Sequence, residues 1–425
     1  MPVCAVSGNS LNPKVALIVK NYALGTSSVL INLIRMLALS NVSVDIFTDT
    51  ISLSVPYFPP VDKVRLFIEP QHSSFDTFFI KLYRRLLVKF RGDTHIAQVA
   101  RLSYEYFWFA KWVSGVLKKK SFYNVVMYAS YPAIYVSSFF KKKSATSIYY
   151  NLELLDDSLD EYEGVGFGAL RRVEQEHLHY LDWVFATSPK RGECFQKLTG
   201  FPSNRIRVLP VLPLTGEAPK PNRYFYDKFS LDETVSIVIW TGIIGERMLQ
   251  MEVIDTVHNW PKNTVLIFHT FRKGTFDQGY GLSLQKAAES LPVYFSAEAL
   301  DYSEISSAIA SAHIGFAFYD TMDTNMGEIF LSSNKIIEYL RCGVPVITSY
   351  NKDLEAFFAE YKCGFSVHPE DVPRAVAVIL HDYDLYRQAA FNASCGELSF
   401  EKYFYAAFDG IIKDFSASIL NRNNL

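Results

Sequence analysis

Five polar residues between positions 332 and 338 have types and spacing that suit the binding of an anion beside a diol. Ser332, Ser333 and Asn334 are small polar residues of the kind that begin a helix. A helix start has unpaired backbone N–H groups and the positive end of the helix dipole, so it binds anions such as phosphate. Lys335 adds a positive charge there, and the Glu338 carboxylate can accept hydrogen bonds from both hydroxyls of a ribose.

An ordinary capped helix with no ligand would contain the same residues. In that case Lys335 and Glu338, three positions apart, would form a solvent-exposed ion pair that stabilises the helix by roughly a few tenths of a kcal/mol. The residue types alone leave both interpretations open.

The neighbouring sequence predicts the elements that hold these residues in place. Apolar Ile336, Ile337 and Leu340 fall at helical spacing, and Gly343 marks the end of the helix. Residues 344–348 form a short apolar, β-branched run bounded by turn residues, which is typical of a strand buried on both faces of a parallel sheet. The stretch is therefore predicted to be a loop, a helix and a strand.

The segment 332–349, SSNKIIEYLRCGVPVITS, resembles the donor-site signature of the family 4 glycosyltransferases, which are two-domain enzymes of the GT-B fold. The resemblance implies that the helix start holds the diphosphate of a nucleotide sugar and that Glu338 holds its ribose. Many family members have a second glutamate eight positions earlier. Here that position is Phe330, and Glu328, two residues upstream, is included among the donor-site candidates.

A second basic residue, Arg247, follows a predicted strand in the turn sequence TGIIGER, in which Gly242 is a further donor-site candidate, and a helix is predicted to run from this turn to about residue 259. Glycosyl transfer requires stabilisation of the departing diphosphate, either by a metal ion or by fixed positive groups. Arg247 resembles the phosphate-contacting arginine of the family. The lysine usually found five residues later is replaced by Glu252, so Lys335 is expected to supply the second charge, with Arg272 and Lys273 as alternatives.

The candidates in the first half of the chain concern the acceptor. In the resembled family the loop after the first strand faces the acceptor, which makes Gly25, Thr26 and Ser27 candidates; the alternative is a plain turn and helix cap. Glu153 follows another predicted strand at its carboxyl end, where open α/β sheets bind ligands. Glu153, with Asp156 and Asp157 close behind, would be the general base if the enzyme inverts configuration, or part of an acidic surface loop. The resemblance implies retention instead, in which the departing phosphate takes the acceptor proton.

Strands and helices alternate through both halves of the chain, which predicts an α/β architecture with two Rossmann-like domains facing a cleft. Four prolines and a glycine between positions 210 and 221 mark a linker between the halves. We predict an acceptor-binding domain at 1–210, a linker at 211–232 and a nucleotide-sugar-binding domain at 233–400. A last helix at 401–425 is expected to return to the first domain, as in the resembled fold.

Length and composition are those of a globular protein with two domains. The chain has 425 residues, of which 49% are hydrophobic and 20% charged. No apolar run reaches the roughly 18 residues that span a membrane, and the first residues lack the pattern of a secretion signal. The five cysteines are scattered, as free thiols of a reducing compartment would be. We therefore expect a cytoplasmic protein, and nothing predicts a nucleic-acid partner.

Positive charge is concentrated between positions 75 and 120, where ten basic and three acidic residues give +7 in a chain whose net charge is −2. The same segment is rich in aromatic residues. A basic, aromatic, amphipathic helix pair is typical of a protein that lies on an anionic membrane surface, here the inner face of the membrane. Two ordinary helices with solvated lysines and arginines are the alternative.

Two motifs with metal-ligand residue types are not interpreted as metal sites. Asp382 and Asp384 match the D-x-D spacing of metal-dependent glycosyltransferases but lie between late helices, far from the donor stretch. His177 and His179 are two apart in a helical stretch and should point to different faces, one in the core and one at the surface. We expect no metal and no cofactor other than the nucleotide sugar as co-substrate.

Taken with the resemblance, these features predict a glycosyltransferase of the hexosyltransferase type. It would move a sugar from a nucleoside diphosphate donor to a glycan or lipid-linked acceptor in cell-surface polysaccharide or glycoconjugate synthesis, with retention and without metal. A sugar-nucleotide epimerase of the same fold is one alternative. A non-catalytic nucleotide-sugar-binding subunit is another, because Phe330 and Glu252 replace two expected residues.

Overall fold

The computed structural model describes most of the chain, and the longest gaps lie in the first half and at both ends. The described residues are 12–21, 24, 27–49, 62–70, 94–119, 122–139, 145–155, 167–214, 216, 218–320 and 324–412. They divide into two compact units, Met1–Val208 with Phe404–Leu425, and Leu209–Tyr403.

The first unit contains a seven-stranded sheet in the order β3-β2-β1-β4-β5-β6-β7, with all neighbouring strands parallel. Its strands are β1 (Lys14–Val19), β2 (Ser43–Thr48), β3 (Val64–Ile68), β4 (Val125–Ala129), β5 (Thr146–Asn151), β6 (Trp183–Ala186) and β7 (Ile206–Val208). After Lys14, the central strands β1 and β4 consist of buried apolar residues, as is typical of parallel strands that are buried on both faces.

The described helices of this unit lie between its strands. They are α1 (Ser28–Leu39), α2 (Thr94–Lys119), α3 (Tyr131–Ile134), α4 (Phe167–His177) and α5 (Pro189–Thr199), with 3-10 turns at Tyr135–Phe139, Leu178–Tyr180 and Ser203–Arg205. Helix α2 packs Phe109, Val113 and Leu117 into the core beside Tyr128 of β4. Apolar residues at helical spacing therefore explain why one side of α2 belongs to the core of this unit.

The second unit contains a six-stranded parallel sheet in the order β10-β9-β8-β11-β12-β13. Its strands are β8 (Ser236–Thr241), β9 (Thr264–Thr270), β10 (Val293–Ala297), β11 (Ile314–Ala317), β12 (Val346–Ser349) and β13 (Gly364–Val367). From β8 to β10 the chain adds strands on one side of β8. From β11 to β13 it adds them on the other side of β8. In open α/β sheets, ligands bind outside the carboxyl ends of the strands at such a switch point.

Helices connect these strands in the described part of the second unit. They are α6 (Tyr224–Phe229), α7 (Gln250–Ile254), α8 (Gly279–Ala287), α9 (Tyr302–Ala310), α10 (Thr324–Gly327), α11 (Asn334–Arg341), α12 (Lys352–Tyr361), α13 (Val372–His381) and α14 (Tyr383–Cys395), with 3-10 turns at Glu246–Met248, Val257–Asn259 and Pro369–Asp371.

The segment 211–232, predicted as a linker, belongs to the second unit. It contains α6, whose Phe225 is fully buried, and the backbone N–H of Val211 donates to Leu331 O at 2.9 Å. The prolines that indicated a linker therefore lie in irregular chain just before a buried helix of this unit. The single helix predicted to run to about residue 259 is also wrong, because the chain forms a 3-10 turn, α7 and a second 3-10 turn there.

The last described helix is α15 (Phe400–Phe408), and its second half belongs to the first unit. Arg207 Nη1 donates to Ala407 O at 2.8 Å and to Asp409 O at 2.6 Å, and the Phe408 ring lies 5.2 Å from Phe185. The prediction of one helix from 401 to 425 is too long within the described residues, since α15 ends at Phe408; residues 413–425 lie outside them.

Two further expectations concern membranes and cysteines. Within the described ranges, no helix combines the length and apolar character needed to cross a membrane. Four cysteines in those ranges are free thiols, as predicted, and Cys4 lies outside them; the four are Cys194, Cys342, Cys363 and Cys395.

Candidate functional site

The switch point of the second sheet brings together the turn that follows β8 and the segment that follows β11. Gly242 begins the turn with a φ of +103°, a conformation that favours glycine, and its N–H donates to His269 O at 2.9 Å. The backbone N–H of Asp320, beyond β11, donates to Arg247 O at 2.8 Å. Arg247 lies in the 3-10 turn Glu246–Met248, with its Nε and Nη2 atoms buried.

A buried glutamine, which the sequence analysis missed, holds this turn in shape. Gln250 is fully buried at the start of α7. Its Oε1 accepts from the N–H of Gly245 at 3.0 Å, and its Nε2 donates to Ile243 O at 3.0 Å. One side chain therefore satisfies a backbone donor and a backbone acceptor of the turn. No periodic sequence pattern could have indicated this role of Gln250.

The predicted cap of α11 is confirmed, and Ser333 is the capping residue. Its Oγ accepts from the N–H of Ile336 at 3.3 Å. The Tyr319 hydroxyl lies 2.7 Å from the same Oγ, and the Tyr319 N–H donates to Ser349 Oγ at 3.0 Å. The start of α11 is thus tied to the carboxyl ends of β11 and β12. Ser332 is partly exposed and Asn334 is exposed.

The body of α11 is held against β8 and β11 by one aromatic residue. The Tyr339 hydroxyl accepts from the Thr241 N–H at 2.8 Å. Its ring covers Gly315 of β11 so closely that a Cβ there would lie 2.3 Å from Tyr339 Cδ2. A larger residue at position 315 would therefore displace the Tyr339 ring or the helix that carries it.

Lys335 is the most unusual group of this site. Its Nζ is buried and, among the described residues, has no hydrogen-bond partner. It lies 4.2 Å from the centre of the Trp240 ring and 5.5 Å from that of Tyr319, distances at which aromatic faces attract a cation. A Cβ at Gly242 would lie 3.8 Å from Lys335 Cε. Burial lowers the pKa of Lys335 to about 7, because an ammonium without a counter-charge is costly in such surroundings.

Glu338 pairs with a residue that the sequence analysis did not select. Its Oε2 accepts from Arg341 Nε at 3.0 Å and from Arg341 Nη2 at 2.8 Å. Arg341 Nη2 also donates to Ser306 Oγ of α9 at 2.7 Å. The exposed Lys335–Glu338 pair considered from the sequence is therefore wrong. The basic residue three positions after Glu338 was the available signal for this contact.

The remaining donor-side candidates of the second unit are Glu328, Arg272 and Lys273. Glu328 is partly exposed, and its N–H donates to Thr324 O at 2.9 Å. The Phe330 ring packs 5.1 Å from that of Phe357 in α12, so it serves an apolar contact. Arg272 and Lys273 are exposed after β9. Of the predicted residues, the structure brings Gly242 of the turn after β8 next to Lys335 in the first turn of α11, with Arg247 in the same turn as Gly242.

Of the acceptor-side candidates in the first unit, the structure describes Ser27 and Glu153. Ser27 is buried and caps α1, its Oγ accepting from the N–H of Leu30 at 3.5 Å. Gly25, Thr26, Asp156 and Asp157 lie outside the described residues. Glu153 is exposed just after β5, and its carbonyl accepts from Asn151 Nδ2 at 3.1 Å.

A buried ion cluster at the same edge of the first sheet was also missed. Lys20 follows β1, Asp49 follows β2 and Glu69 follows β3. Lys20 Nζ lies 3.2 Å from Asp49 Oδ2 and 3.1 Å from Glu69 Oε2, with all three side chains buried. The three residues are far apart in the chain, and only the order of the strands places them side by side.

The two histidines set aside as a metal site differ in burial, as predicted for residues on different faces. His177 is buried, with Nδ1 2.7 Å from Val173 O and its pKa lowered by burial, whereas His179 is exposed. Asp382 and Asp384 are exposed. Across the described ranges, no three His, Cys, Asp or Glu side chains are grouped so that they could hold a metal ion.

Comparison with known proteins gives a structural match without a sequence match. No family model and no curated protein matches the chain. A sucrose-phosphate synthase from Thermosynechococcus elongatus superposes with a TM-score of 0.65 at 15% identity, covering 97% of this chain and 99% of that one. The chain has the GT-B fold.

Other solved structures agree with the GT-B fold. HepE from Anabaena, in complex with UDP-glucose, matches with a TM-score of 0.62 at 12% identity over 93% of this chain and 98% of that one. WaaG, a glycosyltransferase involved in lipopolysaccharide biosynthesis, matches with a TM-score of 0.58 at 18% identity over 93% and 100%. Identities this low show the fold, and membership of family 4 stays a prediction.

Proposed function

We propose that this GT-B protein is a glycosyltransferase of family 4 type that uses a nucleoside diphosphate sugar as donor. The observation that carries the proposal is the buried Lys335 amino group at the capped start of α11, at the switch point of the second sheet. A buried cation is costly unless it is paired. A diphosphate bound at the helix start would supply the missing charge and would accept from the helix N–H groups.

The same groups account for the chemistry. As the bond between the sugar C1 and the diphosphate oxygen breaks, negative charge grows on the diphosphate. Lys335, the α11 N–H groups and Arg247 are fixed positive groups that favour this state more than the ground state. The acceptor oxygen then bonds to C1 on the same face, and its proton passes to the departing phosphate. This retaining route requires neither a protein base nor a metal, and a hexose is the sugar we propose.

The proposed acceptor is a glycan or a lipid-linked glycan, in cell-surface polysaccharide or glycoconjugate synthesis. Support comes from the exposed side of α2 and the residues after it, where Phe107 and Phe122 are 39% and 48% exposed beside exposed Lys111 and Lys118. The sequence from 106 to 152 has seven lysines and no acidic residue. We propose that this basic, aromatic surface rests on the anionic inner face of a membrane while the protein itself is cytoplasmic.

Donor turnover by purified variants tests the proposal. Lys335→Met removes the charge but keeps a side chain of similar length. We expect kcat for sugar transfer or donor hydrolysis to fall by about 100-fold, because one fixed positive group is lost from a buried position. The matched control is Lys352→Met, which removes an exposed lysine from the first turn of α12. UDP-glucose is the first donor to assay, followed by GDP- and ADP-sugars.

Equal turnover in the wild type, in Lys335→Met and in Glu338→Gln would refute the proposed donor site. Binding of a nucleotide sugar without turnover against any acceptor tried would favour the non-catalytic subunit instead.

A further inference from the structure

The most informative contact outside the residues predicted for donor binding is the one between Glu338 and Arg341. From its geometry we infer that Arg341 is a positioning residue: it holds the Glu338 carboxylate in the orientation that accepts the ribose hydroxyls of the donor. The inference rests on the proposed function and adds to it the residue that sets selectivity for a ribonucleotide.

The contact differs from an ordinary surface ion pair. Both Arg341 Nε and Arg341 Nη2 donate to the same oxygen of Glu338, Oε2, at 3.0 and 2.8 Å. The two side chains are only 18% and 16% exposed, so water competes little with the pair. Charge-assisted hydrogen bonds of this length are among the stronger ones, and two on one oxygen restrict rotation of the carboxylate.

A third residue fixes the arginine from outside its own helix. Arg341 Nη2 also donates to Ser306 Oγ at 2.7 Å, and Ser306 is a buried residue of α9. A pair that served only to stabilise α11 would need no partner on another helix. The chain of contacts from Ser306 through Arg341 to Glu338 therefore makes the direction of the carboxylate depend on how α9 and α11 pack.

An oriented carboxylate is what recognition of a vicinal diol requires. A carboxylate has about four acceptor positions, and Arg341 uses two of them on a single oxygen. A side chain that is already held in one rotamer loses little conformational entropy when the ligand binds. Without Arg341 the Glu338 carboxylate would have to be ordered by the ribose itself, and the ribose hydroxyls would contribute less to binding.

The test compares ribonucleotides with 2′-deoxyribonucleotides in binding titrations of the full chain. UDP, GDP and ADP are titrated first, and the tightest is then compared with its 2′-deoxy counterpart for the wild type, Arg341→Met, Arg341→Lys and Ser306→Ala. The control is Arg223→Met, which breaks an exposed arginine–aspartate pair of the same unit with Nε 3.1 Å from Asp227 Oδ1. Thermal midpoints of all variants show whether each one is folded.

We expect the wild type to prefer the ribonucleotide by about tenfold or more, as for a hydrogen bond to a charged group. Arg341→Met should reduce this preference to about threefold or less, because only the binding of the ribonucleotide becomes weaker. Arg341→Lys and Ser306→Ala should give intermediate preferences. Arg223→Met should keep the preference of the wild type. An unaltered preference in folded Arg341→Met overturns the positioning role alone. Failure of the wild type to bind any of the nucleotides overturns the proposed function, and with it this inference.

Discussion

At the scale of single residues, the Lys335 amino group defines the electrostatics of the site. Burial brings its pKa to about 7, so in the unliganded protein near neutral pH a large share of the molecules carry it uncharged. A nearby diphosphate favours the charged form and raises that pKa. Donor binding above pH 7 must then be accompanied by uptake of a proton.

This linkage predicts a pH dependence of binding. Since the liganded protein binds more protons than the free protein, affinity for UDP-glucose should fall as the pH rises from about 7 towards the pKa of the complex, by at most about tenfold per pH unit. Titration calorimetry at pH 8 in buffers of different ionisation enthalpy measures the proton uptake directly.

In Lys335→Met the proton uptake should vanish, while Lys352→Met should keep it. Calorimetric enthalpies that are the same in every buffer for the wild type would show that Lys335 stays charged throughout, contrary to this prediction.

The position of Lys335 was predictable from the sequence, but its environment was not. Capping residues and apolar spacing place it in the first turn of a helix. The aromatic rings beneath it come from Trp240 and Tyr319, which only the tertiary fold brings there. Gln250 and Arg341 were missed for the same reason, because their roles depend on hydrogen-bond partners that no local sequence pattern identifies.

At the scale of elements, the packing of α11 on β11 determines where the helix start lies. Gly315→Ala would place a methyl group 2.3 Å from Tyr339 Cδ2, so either the ring or the helix must move. We expect a loss of about 1–3 kcal/mol in the free energy of unfolding, and weaker binding of UDP-glucose because the capped helix start shifts. Urea unfolding and titration calorimetry measure the two effects.

The control is Gly115→Ala in α2, where an added Cβ has no neighbour within 4 Å. It should be neutral or stabilising by up to about 1 kcal/mol, as alanine favours a helix. Equal stability of the two variants would contradict the close packing of Tyr339 on Gly315.

The sequence predicted a strand correctly where a continuous apolar run marks it. The prediction failed for two edge strands and for a helix that is interrupted. The apolar run at residues 344–348, predicted as a buried strand, corresponds to β12, which is buried throughout Val346–Ser349. The edge strands β3 and β13 were not predicted, because β3 has exposed positions and β13 has only four residues beginning with Gly364. Leu249, with a φ of +51°, interrupts the helix predicted after β8, and no residue type signals such a turn.

At the scale of the whole molecule, the first unit depends on residues that follow the second unit in the chain. Phe408 is fully buried, with ring contacts to Phe185 and Phe404. Phe408→Ala should destabilise the first unit by about 3–5 kcal/mol, because it leaves a cavity in a packed core. Hydrogen exchange should speed up in β6 while β8 and β9 of the second unit keep their protection.

Leu385→Ala is the matched control, since that side chain is 58% exposed and its loss should change stability by less than about 0.5 kcal/mol. Faster exchange throughout both units of Phe408→Ala would mean that they unfold as one body, and would contradict a local role for α15.

The contribution of α15 to the first unit has a consequence for synthesis on the ribosome. The strands of the first unit are made first, yet Arg207 and Phe185 meet their partners on α15 only after the second unit, Leu209–Tyr403, has been translated. At roughly 5–20 residues per second this delay is on the order of ten to forty seconds. During that time Phe185 lacks its packing partner Phe408, and the nascent first unit is most prone to aggregation and to binding by chaperones. The second unit, continuous in sequence, is complete before the first.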